Sequence, residues 1–259
     1  MKKRSLHRFP LFLFGLCLSF QSHAQDFSGN EQLHTFIQEM NQKHDFDKAQ
    51  LRQLFDKARL HQSILDAISR PAESKPWHEY RPIFVTRERT TGGLRFWQQN
   101  SEALQRAEEK FGVPSQIITA IIGVETRYGK HAGRYPVLDA LATLAFAYPP
   151  RSSFFRQELE QYLLMTREEE LDPLKQQGSY AGAMGMPQFI SSSFRSYAID
   201  FDGDGKRDLW DNPDDVIGSV ANYFYKHRWQ PGQPVAHKVK VHGKKYHELV
   251  SNDLRPRYT

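Results

Sequence analysis

Cysteine is almost missing from this sequence of 259 residues, Cys17 being the single one. One thiol makes no internal disulfide and no CxxC zinc or redox pair, so stability rests on packing, hydrogen bonds or a cation held by oxygen. HExxH, GxSxG and Walker-type glycine–lysine patterns are absent as well, which removes the usual zinc hydrolase, serine hydrolase and nucleotide-phosphate signatures and leaves no organic cofactor to expect. Long hydrophobic runs are lacking too. The apolar stretch at 9–20 contains Pro10 and falls short of the roughly 20 residues that span a bilayer. Against these absences, 39% hydrophobic and 13% aromatic residues supply enough apolar material for a core, which excludes disorder and collagen.

A net charge of +5 invites a polyanionic partner, but its location decides otherwise. Lys2, Lys3, Arg4 and Arg8 precede the apolar run, and Ser22-His23-Ala24 offers small residues where a signal peptidase cuts. This order predicts a secretory signal peptide over residues 1–24, cleaved after Ala24. Leu16 stands where a lipidation signal needs a small residue before Cys17, so neither a lipid anchor nor stable membrane insertion is expected. The leader carries four of the 35 basic residues and none of the 30 acidic ones, so 31 face 30 in the remainder. Nucleic acid is therefore not an expected partner.

Helical periodicity predicts a hairpin region over residues 30–68, from Leu33, Phe36, Ile37, Met40, Leu51, Leu54 and Phe55. Pro71, Pro76 and Pro82 predict an irregular crossing over 70–82, followed by one long helix ending near Gly112. Residues 114–128 read as a helix buried all round. Further helices are expected at 137–147, 153–166, 188–197 and 213–227, with a glycine-rich loop at 178–185 and a strand-like alternating run at 234–242. The domain expectation is an N-terminal helical region at 25–110 and a core at 111–259.

Glu125 lies near the end of the apolar helix. Desolvation by isoleucines and the negative helix end would both raise its pKa, as a general acid requires, while pairing with Arg127 or Lys130 is the competing reading. In 200–211, Asp200, Asp202 and Asp204 occupy loop positions one, three and five, with Gly205 at six, the Lys206 carbonyl at seven and Asp208 at nine. That is the EF-hand Ca²⁺ pattern, against an acidic solvated turn. Either Asp211 or Asp215 could close the shell, although Asp215 also suits a helix start after Asn212-Pro213. In the glycine-rich loop, Ser179, Tyr180 and the following Gln188 offer hydrogen bonds and a ring to a ligand that glycines let approach.

Gly123-Val-Glu-Thr-Arg-Tyr-Gly129, the loop at 178–185 and the acidic loop followed by Gly218-Ser-Val-Ala-Asn-Tyr-Phe224 occur in this order and spacing in one family, whose likeness also takes in Asp139-Ala-Leu-Ala-Thr-Leu144 and Pro76-Trp-His-Glu-Tyr80. On these motifs the chain resembles the B family of lytic murein transglycosylases over roughly residues 33–229. The resemblance implies a mainly α, lysozyme-like fold of the α+β kind, with an EF-hand-like loop at 200–215 and a small C-terminal β-rich segment. It implies a periplasmic enzyme that cuts the MurNAc–GlcNAc bond of peptidoglycan strands and leaves 1,6-anhydromuramoyl ends. Glu125 would be the sole acid/base. Ser179 and Gln188 would bind sugar, Tyr80, Tyr180 and Tyr223 would form aromatic walls, and Arg151 would contact the peptide or acetyl substituents. Asp200, Asp202, Asp204, the Lys206 carbonyl and Asp215, or Asp211, would hold a structural Ca²⁺. Other cell-wall enzymes are further expected partners. The family continues into an Asn- and Tyr-rich segment that nothing here matches, so either a shortened natural member or a truncated product is expected. The alternatives are a non-catalytic wall-binding scaffold and a lysozyme-like hydrolase.

Overall fold

The computed structural model describes residues 27, 29–70, 75–237 and 240–249. The expected signal peptide and the residues after 249 lie outside them. Among the described residues the chain forms eleven α-helices and one two-stranded sheet. None of these helices is long and apolar enough to cross a membrane.

The expected N-terminal hairpin is three helices: α1 (Glu31–His44), α2 (Lys48–Phe55) and α3 (Gln62–Ile68). Asn30 opens α1 by accepting the Leu33 N–H at 3.1 Å, and Asp47 opens α2 by accepting that of Gln50 at 2.7 Å. The connection between α2 and α3 is held by a later helix. Asp139 accepts the Arg59 N–H at 3.0 Å and lies 2.8 Å from His61 Nε2, and Thr143 accepts the His61 N–H at 3.2 Å.

The prolines at 70–82 do not keep the chain irregular: α4 spans Trp77–Phe84 and contains Pro82. Pro76 sets the entry, and the His78 carbonyl that Pro82 cannot serve is on an exposed turn open to solvent. The expected long helix is two, α5 (Arg87–Gln99) and α6 (Ser101–Phe111). Asn100 breaks them apart, its Nδ2 donating to the Phe96 carbonyl at 2.8 Å while its backbone leaves helical geometry.

The centre of the molecule is α8 (Val137–Ala147), buried at every residue from Val137 to Ala145 and laid along α9 (Ser152–Glu168). Beside α9 stands α10 (Ser191–Tyr197), whose N-terminus is satisfied from outside: Glu158 accepts the Ser192 N–H at 2.9 Å and its hydroxyl at 2.6 Å. Finally, α11 (Pro213–Lys226) packs on α6, α7 (Ser115–Thr126) and α10. One continuous apolar core joins helices on both sides of residue 110.

The sheet pairs β1 (Tyr135–Pro136) antiparallel with β2 (Gln177–Gly178), Tyr135 opposite Gly178. Among the described residues the β content therefore lies mid-chain, and the expected C-terminal β-rich segment is not seen there. The described residues of the run at 234–242 form no strand, and Val235 and Val241 are 70% and 54% exposed. An alternating pattern becomes a strand only when a neighbour pairs its backbone and a core takes its apolar edge, and neither is present there among the described residues.

Candidate active site

Glu125 sits in the last turn of α7, and that helix is not buried all round. Ile118 and Ile122 enter the core, whereas Ile117 and Ile121 are half-buried and Ala120 and Val124 exposed. The isoleucine-rich helix thus serves two faces, one toward the core and one toward a cleft of about 250 Å³. That cleft is lined by Ile121, Glu125, Gln188, Phe189, Tyr223 and Phe224, together with Pro187, Ile190, Ser193 and Val220.

The helix stops immediately after Glu125 by an uncommon device. Arg127 and Tyr128 both adopt left-handed backbone, with φ of 52° and 62°, a conformation that costs non-glycine residues energy. The Tyr128 side chain holds this turn. Its hydroxyl donates to the Arg89 carbonyl at 2.9 Å, and its ring stacks on Phe96 at 5.5 Å. The ring occupies a slot that exists because three helical positions lack a side chain. A Cβ at Gly92 would stand 2.9 Å from ring Cε2, one at Gly93 2.6 Å from the hydroxyl, and one at Gly123 2.6 Å from Cζ. Thr126 completes the fixation by donating to the Met186 carbonyl at 2.8 Å and accepting the Gly129 N–H at 3.0 Å.

Glu125 itself is exposed at the edge of the cleft, and partial desolvation by the apolar residues beside it pushes its carboxyl above the ordinary carboxylate range. The negative helix end expected to help is countered, because Arg89 donates to the Gly123 and Val124 carbonyls. Among the described residues neither Arg127 nor Lys130 forms an ion pair with Glu125.

Of the other expected substrate contacts, Gln188 and Tyr223 line the same cleft. Gln188 takes a φ of 53°, and its Nε2 donates to the Ala132 and Gly185 carbonyls at 3.0 and 3.1 Å, which leaves Oε1 as its accepting group. Tyr223 stands against Phe189 and Tyr197 and is stacked on His227 at 4.1 Å. Ser179, Tyr180, Tyr80 and Arg151 are not among the residues lining this cleft. The Ser179 hydroxyl accepts the Ala181 and Ala183 N–H groups, and the Tyr180 ring packs against the core. Arg151 lies over Phe154 at 4.5 Å at the start of α9. Tyr80 belongs to an aromatic row on α4 with Trp77 and Phe84, and Phe84 underlies Arg89 at 5.0 Å.

The loop glycines serve the protein's own packing. A Cβ at Gly182 would stand 2.5 Å from Leu141, one at Gly185 2.8 Å from the Leu209 backbone, and one at Gly133 2.5 Å from the Ser179 nitrogen. On the cleft floor sequence reasoning named Gln188 but not Pro187, Ile190 or Ser193, and it missed the Arg89–Tyr128 clamp. One signal for the clamp was present: adjacent glycines inside a helix cost stability and imply a packed neighbour.

In the acidic loop, carboxylate oxygens of Asp200, Asp202 and Asp204 lie within 4.8 Å of one another. Gly203 and Gly205 make the tight turn, with φ of 84° and 90° and open space where a Cβ would stand. Asp215 is fully buried and accepts the Phe201 N–H at 2.7 Å and the Asp208 N–H at 2.8 Å, so it ties both ends of the loop to α11. Burial pushes its pKa up. Asp211 is exposed and its N–H donates to Asp208. Neither Asp211 nor Asp215 joins the cluster of three. An all-oxygen donor set on a flexible loop fits a hard cation of the Ca²⁺ type.

A profile of the transglycosylase SLT domain matches residues 28–257. Membrane-bound lytic murein transglycosylase B of Escherichia coli (strain K12) is 47% identical over 221 residues, which cover 82% of this chain and 61% of that one. The chain thus spans about six tenths of that relative's length. The crystal structure of soluble lytic transglycosylase SltB1 from Pseudomonas aeruginosa superposes with a TM-score of 0.76 at 55% identity, over 79% of this chain and 69% of that one. The Escherichia coli lytic transglycosylase Slt35 in complex with calcium superposes with a TM-score of 0.77 at 47% identity, over 82% and 68%.

Proposed function

The chain belongs to the transglycosylase SLT family, and from that membership we propose that it is a lytic murein transglycosylase. It cleaves the β-1,4 bond between N-acetylmuramic acid and N-acetylglucosamine and leaves a 1,6-anhydromuramoyl end. One observation carries the reading: Glu125 is the single carboxylate among the described residues lining the cleft, and partial desolvation there raises its pKa. Glycosidases that work with two carboxylates place the second about 5–9.5 Å away. A lone one must serve twice.

Glu125, protonated, gives its proton to the glycosidic oxygen as the bond to C1 breaks, and the sugar's 2-acetamido oxygen supports the positive charge at C1. The resulting carboxylate takes the proton from the muramoyl C6 hydroxyl while that oxygen bonds to C1. No water is consumed, and Glu125 ends as it began. Gln188 and Tyr223 bind the reacting sugars beside it. Ser179, Tyr180, Tyr80 and Arg151 are assigned to parts of the glycan and its substituents outside this cleft.

A Ca²⁺ on Asp200, Asp202, Asp204 and the Lys206 carbonyl is assigned a structural role, holding the turn of a loop that Asp215 separately ties to α11 through the Phe201 and Asp208 N–H groups. The carboxylate cluster and the calcium complex of Slt35 support it. The expected export after cleavage at Ala24 puts the enzyme with its wall substrate. Digestion of purified murein followed by mass spectrometry tests the activity: anhydromuropeptides are expected, and Glu125→Gln should lose turnover while still sedimenting with the glycan. Reducing ends alone would make the protein a hydrolase, and no release would make it a wall-binding scaffold.

A further inference from the structure

The residue that meets the Glu125 turn most directly is not in the cleft. Arg89 Nη1 donates to the carbonyls of Gly123 and Val124, the second of these in the peptide group that carries Glu125. The Arg89 carbonyl in turn accepts the Tyr128 hydroxyl at 2.9 Å. One residue of α5 therefore grips α7 on both sides of Glu125, through its side chain before it and its main chain after it. The guanidinium rests on Phe84 of α4, and its Nε is buried with no partner among the described residues. Two carbonyls and one ring hold the cation where a helix collects its partial negative charge.

We propose that Arg89 is a positioning residue for Glu125, fixing the final turn of α7 and offsetting the negative helix end behind the carboxyl. This rests on the reading of Glu125 as the acid. The chemistry asks for a compromise: the group must be protonated to cleave and ionised to close the anhydro ring. Partial desolvation raises the Glu125 pKa, and a cation bound at the helix end behind the carboxyl opposes such a rise. The titratable groups facing Arg89 are Arg127 and Tyr128 after α7 and Glu88 on its own helix α5, and Tyr223, backed by His227 on α11, lines the cleft with Glu125. The cleft floor at 187–193 adds no charge. All of these are common to wild type and variant.

The test reads Glu125 without substrate, by carboxyl NMR titration with the resonance assigned through Glu125→Gln. In Arg89→Met the Glu125 midpoint should rise by about 0.5 pH unit, the size expected of an uncompensated helix end. On murein the alkaline limb of kcat/KM should move up equally, and kcat should fall about tenfold with KM within about twofold. Arg89→Lys should restore the limb but recover kcat only in part, since an ammonium does not reproduce the planar fork. An unmoved Glu125 midpoint overturns the proposal, and so does a raised KM at unchanged kcat, which would make Arg89 a substrate contact. If Arg89→Met does not fold, Arg89→Gln, which likewise removes the cation, gives the same decision. A wild type inactive on murein would sink the proposed function and leave the titration to judge Arg89 alone.

Discussion

Replacing Gly123 by alanine adds one methyl to the helix face that meets Tyr128. The new carbon would stand 2.6 Å from ring Cζ and 2.9 Å from Cε1, and nearer still to the hydroxyl. The ring has little room to retreat, because Gly92 and Gly93 close its other side and its hydroxyl is bonded to the Arg89 carbonyl. Overpacking of this kind costs about 3 kcal/mol at its upper end, while alanine in place of glycine inside a helix returns about 1 kcal/mol. The net loss is about 2 kcal/mol, a fall in Tm of about 4–8 °C for a chain of this size. Turnover should fall further, about 10- to 100-fold, because Glu125 is two residues along on the displaced turn. Thermal unfolding of four proteins decides it: wild type, Gly123→Ala, Tyr128→Ala and the double variant. With the ring removed, Gly123→Ala should become neutral or stabilising, a coupling of about 3 kcal/mol. Equal cost in both backgrounds would refute the slot.

Chelation should lower Tm by about 5–10 °C, since a ligand at a hundredfold excess over its Kd stabilises by about 2.7 kcal/mol; Asp200→Asn should melt low and ignore chelator, and equal Tm values in Ca²⁺ and EDTA would discard the cation. Glu108 accepts the Ser115 hydroxyl at 2.7 Å and its N–H at 2.9 Å, closing the N-terminus of α7 after Pro114. The Ser115 hydroxyl, then its amide, hold the Glu108 pKa below the usual carboxylate range. A folded pKa below the unfolded one gives stability that is present above the unfolded value and lost as pH falls through the folded value. Glu108→Gln should therefore cost about 1 kcal/mol near neutral pH, with the gap to wild type closing below about pH 4; a gap constant with pH would reject the assignment.

The acidic loop was legible in the sequence because its chemistry is local: carboxylates at alternate positions and glycines at the turn lie within one short segment, and the structure gathers Asp200, Asp202 and Asp204. The same holds for most helices, whose periodicity and caps are written within a few residues. Where breaks were misjudged, the deciding partner was distant or competing. Asn100 takes a carbonyl from its own helix, and Asp139 captures the Arg59 and His61 region from some 80 residues away.

By itself the sequence determined the helical character, the acidic loop and a candidate acid at Glu125. Only the tertiary structure decided which face of α7 opens to a cleft, that Gln188 and Tyr223 meet Glu125 there, and that Arg89 rather than a bare helix end stands behind it. Periodicity records how much of a helix is apolar, but not whether a given apolar face meets the core or a ligand. That depends on which segments, here Pro187 to Ser193 and α11, the fold brings opposite.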